Sequence, residues 1–280
     1  MTSEVIAGAQ LPRQPGRMTA PLEADPVGAQ VRRWRERRRR SQLDLSLAAD
    51  VSTRHLSYVE TGRSRPSPTL IERLCDELDV PLRERNRLHL AAGYAPPHPQ
   101  RGFVDLGAAR TAIDAVLTGL EPHPALAVDA HWNLVAANRA ARAFFDDLPA
   151  ELLTPPVNVL RATLHPDGLA ARIRNLAEWR GVVLGRVRRQ LDRTGDPALA
   201  ELLTELRDYP APPGHEDTGA ATASHPLVVP LRLAAGEGEL AFSYTTTVFG
   251  SPRDVTLDEI AIEAFLPADE RTAAALRDAS

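Results

Sequence analysis

Along the first third of the chain, apolar residues recur at helical spacing between short polar stops. Asp25-Pro26 sets an acid and a proline where a helix begins, and Val31 and Trp34 then share one face of a helix ending in Arg37-Arg38-Arg39-Arg40. Ser41 and Asp44 form an S-x-x-D capping box for a second helix, with Leu43, Leu47 and Ala48 expected to point inward. Ser52 caps a third helix over residues 53–61, with Leu56 and Val59 on its apolar side, and Gly62 stops it. Ser67-Pro68 starts a fourth carrying Leu70, Leu74 and Leu78, and a fifth covers residues 81–92 before Gly93. Five short helices in close succession predict a compact all-α domain.

Beyond Pro96, Pro97 and Pro99 the pattern changes. Residues 113–120 read as a helix, and 125–130 and 134–137 as two strands joined by a turn at His131-Trp132-Asn133. Asn138 can cap a helix with Ala141, Phe144 and Phe145, and a largely helical stretch runs to residue 207 with Leu176, Val183, Val187 and Leu191 at helical spacing. Residues 209–226, rich in Pro, Gly and Ala, predict a mobile loop. Strands over 227–233 and 240–248 are joined at Gly236-Glu237-Gly238, a third strand covers 260–265, and a terminal helix follows Pro267. Two strands, helices, then three strands predict an α+β domain with an antiparallel sheet and helices on one face. The expected plan is multidomain: a disordered arm at 1–24, a helical domain at 25–95, a Pro-rich linker at 96–104 and the α+β domain at 105–280.

The 280 residues suit about two domains. All 33 basic residues are arginine, which excludes Walker-A phosphate binding, a pyridoxal Schiff base and any Ser–Lys dyad. One cysteine, Cys75, supplies neither an internal disulfide nor a Cys-rich zinc site. No apolar run approaches the ~18 residues of a membrane span, and residues 1–25 lack the core of a signal peptide, so a cytoplasmic address without membrane contact is expected. The net charge of −4 hides an asymmetry. Residues 26–96 carry 14 Arg against 9 acids, whereas 97–280 carry 17 Arg against 25 acids. A basic small domain beside an acidic larger one points the first toward a polyanion.

Helices two and three have the spacing of a helix-turn-helix, in which the second helix enters the major groove and the first crosses the backbone. Leu47, Ala48, Val51, Leu56 and Val59 would lock the two together, leaving Thr53, Arg54, Ser57 and Tyr58 outward. Arg54 can fork onto guanine, and Thr53 and Ser57 suit base edges. Gln42 at a helix start suits a phosphate, beside Ser52, with Arg63 and Arg65 along the same strand. His55 reads equally as a base contact or a packing residue. Arg35 and Glu60 are placed to pair between helices one and three.

The run Ser41-Gln42, Leu47-Ala48, Val51-Ser52, Leu56-Ser57, Glu60-Thr-Gly62, Pro66-Ser67 and Leu74 resembles the lambda-repressor-like XRE family. That resemblance places base readers at Thr53, Arg54 and Tyr58. His55-Leu-Ser-Tyr-Val-Glu-Thr-Gly-Arg63, Pro81-Leu-Arg-Glu-Arg-Asn86, Ala91-Ala-Gly-Tyr-Ala-Pro96, Trp132-Asn-Leu-Val-Ala-Ala-Asn138, Asn175-Leu-Ala-Glu-Trp-Arg180 and Thr245-Thr-Thr-Val-Phe-Gly250 resemble the MmyB-like transcriptional regulators over residues 27–277. His89 departs from the apolar residue more usual there. The resemblance implies an XRE helix-turn-helix domain coupled to a PAS-like sensor of small, hydrophobic, fatty-acid-like ligands.

A sheet covered by helices can hold an apolar pocket. Trp132, Phe144, Trp179, Phe242, Tyr244 and Phe249 are candidate lining residues, though each taken singly reads more readily as plain core. Among Arg161, Arg172, Arg174 and Arg180, the last is the preferred partner for a ligand carboxylate. His165-Pro-Asp167-Gly168 fits a turn better than a catalytic or metal site, and no H-E-x-x-H, G-x-S-x-G or phosphate loop is present. The expectation is a non-enzymatic, sequence-specific regulator of double-stranded DNA, homodimeric, needing no cofactor or metal. The alternatives are a DNA-targeted enzyme and a regulator whose second domain binds a protein partner rather than a small molecule.

Overall fold

The computed structural model describes residues 25–210, 229–236 and 238–278. The expected arm at 1–24 and most of the expected loop at 209–226 lie outside the described residues.

Five helices build the first domain: α1 (Val27–Arg37), α2 (Gln42–Ala48), α3 (Thr53–Glu60), α4 (Pro68–Glu77) and α5 (Leu82–Ala91). Each of the serine caps read from the sequence forms. Ser41 Oγ accepts from the Asp44 N–H while the Asp44 carboxylate accepts from the Ser41 N–H, and Ser52 and Ser67 accept from His55 and Leu70. Gly62 and Gly93 end their helices at φ 73 and φ 74, in the left-handed region where a side chain would be strained. Val31, Trp34, Leu45, Leu56, Val59, Ile71, Leu74 and Leu88 pack the core. A Cβ on Gly28 would stand 2.1 Å from the Val59 carbonyl oxygen, so α1 crosses α3 at a distance only glycine permits. Cys75 is buried in this core, and burial pushes its thiol up to about 12, which keeps it an unreactive packing residue.

The inward face of α2 is not the expected one. Leu45, Ser46 and Ala49 are buried, while Leu43 and Leu47 are 57% and 72% exposed and Ala48 is exposed as well. Apolar residues at 43, 45, 47, 48 and 49 offer two stripes on so short a helix, and contact with α3 and α4 selects between them.

The second domain opens with α6 (Ala108–Gly119), five residues earlier than expected, then β1 (Ala125–Val128) and β2 (Leu134–Ala137). Asn138 accepts from the Ala141 N–H and caps α7 (Arg139–Arg142), a single turn that ends before Phe144 and Phe145. The long helical stretch is broken into α8 (Val159–Leu164), α9 (Leu176–Thr194) and α10 (Pro197–Asp208). The remaining elements are β3 (Leu231–Ala235), β4 (Gly238–Val248), α11 (Val255–Glu259), β5 (Ala261–Pro267) and α12 (Glu270–Asp278). The five strands form one antiparallel sheet in the order β2-β1-β5-β4-β3. Ala235 pairs with Gly238 across the β3–β4 hairpin, whose Gly236 takes a positive φ as a tight turn requires.

Helices cover both faces of this sheet, not one. Leu126 and Val128 of β1 face a core shared with Trp179, Val187 and Leu203, while Ala125 and Ala127 face Ile113 and Leu117 of α6. The linker between the domains is pinned rather than free. Asn86 and His98 exchange two hydrogen bonds, the Val255 N–H donates to Pro99 O, and Thr256 Oγ1 donates to Arg101 O.

These burials predict opposite outcomes for two leucines on one helix. Leu45→Ala should destabilise the first domain by about 2–5 kcal/mol in urea denaturation. Leu47→Ala should stay within about 0.5 kcal/mol of the parent, as an exposed position does. Equal losses at both would contradict the observed face of α2.

Candidate DNA-reading face and interdomain cleft

Helix α3 is held by a carboxylate. Glu60, with a side chain only 2% exposed, accepts from Arg35 Nε at 2.7 Å and Nη2 at 2.9 Å, the pair expected from the sequence. Gln42 Nε2 donates to the same carboxylate at 2.7 Å. The Gln42 side chain therefore binds α2 to α3. Ser52 caps α3, and the Thr53 hydroxyl lies 2.9 Å from that of Ser46. Arg54 is exposed; its Nε donates to Tyr58 Oη at 2.9 Å and its guanidinium lies 5.4 Å from the ring centroid. Arg63 approaches the same ring at 5.9 Å, so Tyr58 gathers two guanidinium groups on the outer face of α3, with Ser57 and His55 half-buried beside it. Arg65 is elsewhere than expected. It stacks over Tyr94 at 4.1 Å and donates to Gly93 O at 3.0 Å, at the end of α5.

The arginine run also turns inward. Arg38 donates to the carbonyls of Leu78 and Asp79, and Arg40 to the carbonyl and carboxylate of Glu77, so two cations meet the negative end of α4. Arg37 lies over Trp34, and burial, then neighbouring Arg38 and Arg33, holds its pKa below the ordinary value.

In the second domain the seven expected ligand residues separate. Phe144 meets Phe242 and Phe265 edge-on, both at 5.8 Å, and Phe242 is fully buried. Trp179 meets Tyr244 edge-on at 5.2 Å, and its buried indole N–H lacks a partner among the described residues. Arg180 donates to the carbonyls of Leu206, Arg207 and Tyr209, closing the end of α10 rather than standing ready for a carboxylate. Arg161 is likewise engaged, bidentate on Glu205. His165 and Gly168 close a turn through a 2.8 Å backbone bond, and no cluster of metal-ligating side chains occurs among the described residues.

Of the seven, only Trp132 and Phe249 line a cleft of about 530 Å³ between the domains. One wall is the start of α5 with Arg83 and Glu84; the others are α9, α11 and the sheet. Arg83 and Glu259 form a bidentate pair across it, both bonds 2.6 Å, and Arg38 Nη1 reaches Arg193 O at 3.4 Å. At the back, Arg186 lies between the rings of Trp132 and Tyr244, at 4.7 and 4.8 Å, and binds Glu263 bidentately. Burial works against the Arg186 charge, but the Glu263 carboxylate outweighs it and raises its pKa. The sequence reading missed this cleft. Its one available signal was Arg186, Arg189, Gln190 and Arg193, three or four apart and so on one face of α9.

The comparisons with known proteins agree with this division. Residues 26–88 match a helix-turn-helix domain model, and residues 109–279 match the ligand binding domain of MmyB-like transcription regulators. The chain belongs to the MmyB-like regulator family. No curated protein matches it. This MmyB-like chain is thus a helix-turn-helix DNA-binding domain joined to a ligand-binding domain, and among its described residues no helix is long and apolar enough to cross a membrane.

The docked domains carry a pH signature. Burial raises the pKa of Glu84, and nearby Asp196 adds to it, against the lowering effect of Arg87, Arg83 and Arg37. Ionised Glu84 therefore weakens the folded state, a penalty absent below the ordinary carboxylate range and complete once pH exceeds its raised value. Glu84→Gln should raise Tm near neutral pH, and the gap should close on acidification. A gap that does not vary with pH would show that burial of charge is not its cause.

Proposed function

We propose that this protein is a sequence-specific regulator of transcription that reads double-stranded DNA with α3 as a homodimer. On this reading its C-terminal domain, of PAS type, senses a small hydrophobic, fatty-acid-like ligand, catalyses no reaction and works in the cytoplasm. The observation that supports it is the outward row of exposed Arg54 with half-buried Ser57 and Tyr58, on a helix whose opposite edge is buried. The acidic domain docks on the ends of α1 and α5, through Arg38 and Arg83, and leaves that row open. Two copies related by a two-fold axis would set two such helices about 34 Å apart, one turn of duplex. Ser52, Thr53 and Arg63 serve beside the row as phosphate and base contacts. Trp132 meets the ligand at the cleft, where Arg186 links it to the Tyr244–Trp179 pair behind, while Phe144 and Phe242 form the packed core beneath.

Operator binding measured across a series of duplexes tests this reading. Arg54→Ala should reduce discrimination between operators by about 1–3 kcal/mol. Arg63→Ala should weaken all duplexes alike and lower the slope of log affinity against log salt by about one. Unchanged discrimination in Arg54→Ala would remove α3 from base reading.

A further inference from the structure

Charged side chains line much of the cleft between the domains, and the pairing within it is uneven. Its carboxylates are engaged. Glu259 is held by Arg83, Glu263 by Arg186, Glu84 by Arg87, and Asp196 by a 2.8 Å bond to His131. Asp129 accepts from the N–H groups of His131 and Asn133 and from Asn133 Nδ2, and Asp258 accepts from the Leu82 N–H. Two cations on α9 differ. Arg189 and Arg193 both line the cleft, and neither guanidinium has a hydrogen bond or an ion-pair partner within 4 Å among the described residues. Arg193 acts on Asp258 only at longer range. The two arginines stand one turn apart, on the same face of the helix.

Beside them is the edge of a largely buried tryptophan held at a cost. Trp132 takes a φ of 67, a left-handed conformation disfavoured for so bulky a residue. The Asp129 carboxylate maintains it by bonding the residues on either side, and Gln190 accepts from the indole N–H at 2.8 Å. Strained backbone over-determined by its neighbours is characteristic of binding sites. Exposed Val248 and half-buried Phe249 extend the apolar lining, and a volume of about 530 Å³ lies in the range of small-molecule sites.

We propose that this cleft binds a small organic anion with an apolar body, its charge taken by Arg189 and Arg193 and its body resting against Val248 and Phe249 beside the edge of Trp132. The inference rests on the ligand-sensing reading and adds to it a place and a charge. A molecule there touches α5 of the DNA-binding domain and α9 of the sensor together, so its affinity depends on how the domains dock. Such differential contact is what coupling between ligand and DNA requires.

Two fluorescent probes with the same ring body separate the possibilities: 8-anilinonaphthalene-1-sulfonate, an anion, and N-phenyl-1-naphthylamine, its neutral counterpart. Both are titrated into the full chain and into Arg189→Ala/Arg193→Ala, with Arg188→Ala, a position on α9 outside the cleft, as control. The double substitution should weaken the sulfonate at least tenfold and leave the neutral probe within twofold, while Arg188→Ala changes neither. Sulfonate affinity that survives the double substitution overturns the anion site. Binding of the neutral probe alone also overturns it while leaving the ligand-sensing reading intact, and binding of neither probe by the parent counts against both.

Discussion

One buried carboxylate governs the geometry of the DNA-binding half. Glu60 is the last residue of α3, and it accepts from Arg35 on α1 and Gln42 on α2. Arg35 uses its remaining Nη1 to bond Arg40 O, tying in the chain between α1 and α2. A buried charge left without its partner typically costs about 3–5 kcal/mol, so each of these groups depends on the others. Such a network adds little net stability over an apolar replacement. What it supplies is direction, because three helices meet one point and the outer edge of α3 has one orientation relative to the turn before it. The glycine crossing at Gly28 contributes from the other side, setting how closely α1 lies on α3.

Much of the basic excess of this domain is engaged within the molecule. Arg38 and Arg40 satisfy the open carbonyls of α4, Arg65 closes α5, and Arg83 holds the acidic domain through Glu259. Charge asymmetry along the chain thus has two consequences. It leaves Arg54 and Arg63 exposed around Tyr58, and it supplies ion pairs such as Arg83–Glu259 between the two halves of the chain. Both are local in a protein at ordinary salt, since charges more than about 8–10 Å apart are largely screened.

The cleft follows from that docking. Neither domain alone encloses it, because α5 supplies one wall and α9 with the sheet the others. A site so placed joins recognition of a small molecule to the relative position of the domains without a separate relay. The sensor core behind it is tightly packed, with Phe242 fully buried and Phe144, Phe265, Trp179 and Tyr244 in edge-on contacts. Arg186, between Trp132 and Tyr244, is the point where the polar cleft and the apolar core meet.

The sequence by itself determined what is decided within a turn or two of backbone. The serine caps, the glycine stops and the β3–β4 turn satisfy backbone groups whose partners lie a few residues away, and these were legible, whereas α1 begins one residue later than expected, with Pro26 rather than Asp25 before its first turn. So was the Arg35–Glu60 pair, because two opposite charges at fixed places on adjoining helices leave few alternatives. Tertiary structure decided which stripe of α2 is buried, since residues 43–49 carry enough apolar side chains for either face. It decided that both faces of the sheet are covered, because α6 and α9 reach it from opposite sides of the first hairpin in the chain. It also decided where Gln42, Arg65 and Arg180 turn, toward nearby acceptors that no spacing rule announces. Arg83 and Glu259, 176 positions apart, meet only once both domains are folded, so the cleft they border was invisible in the chain.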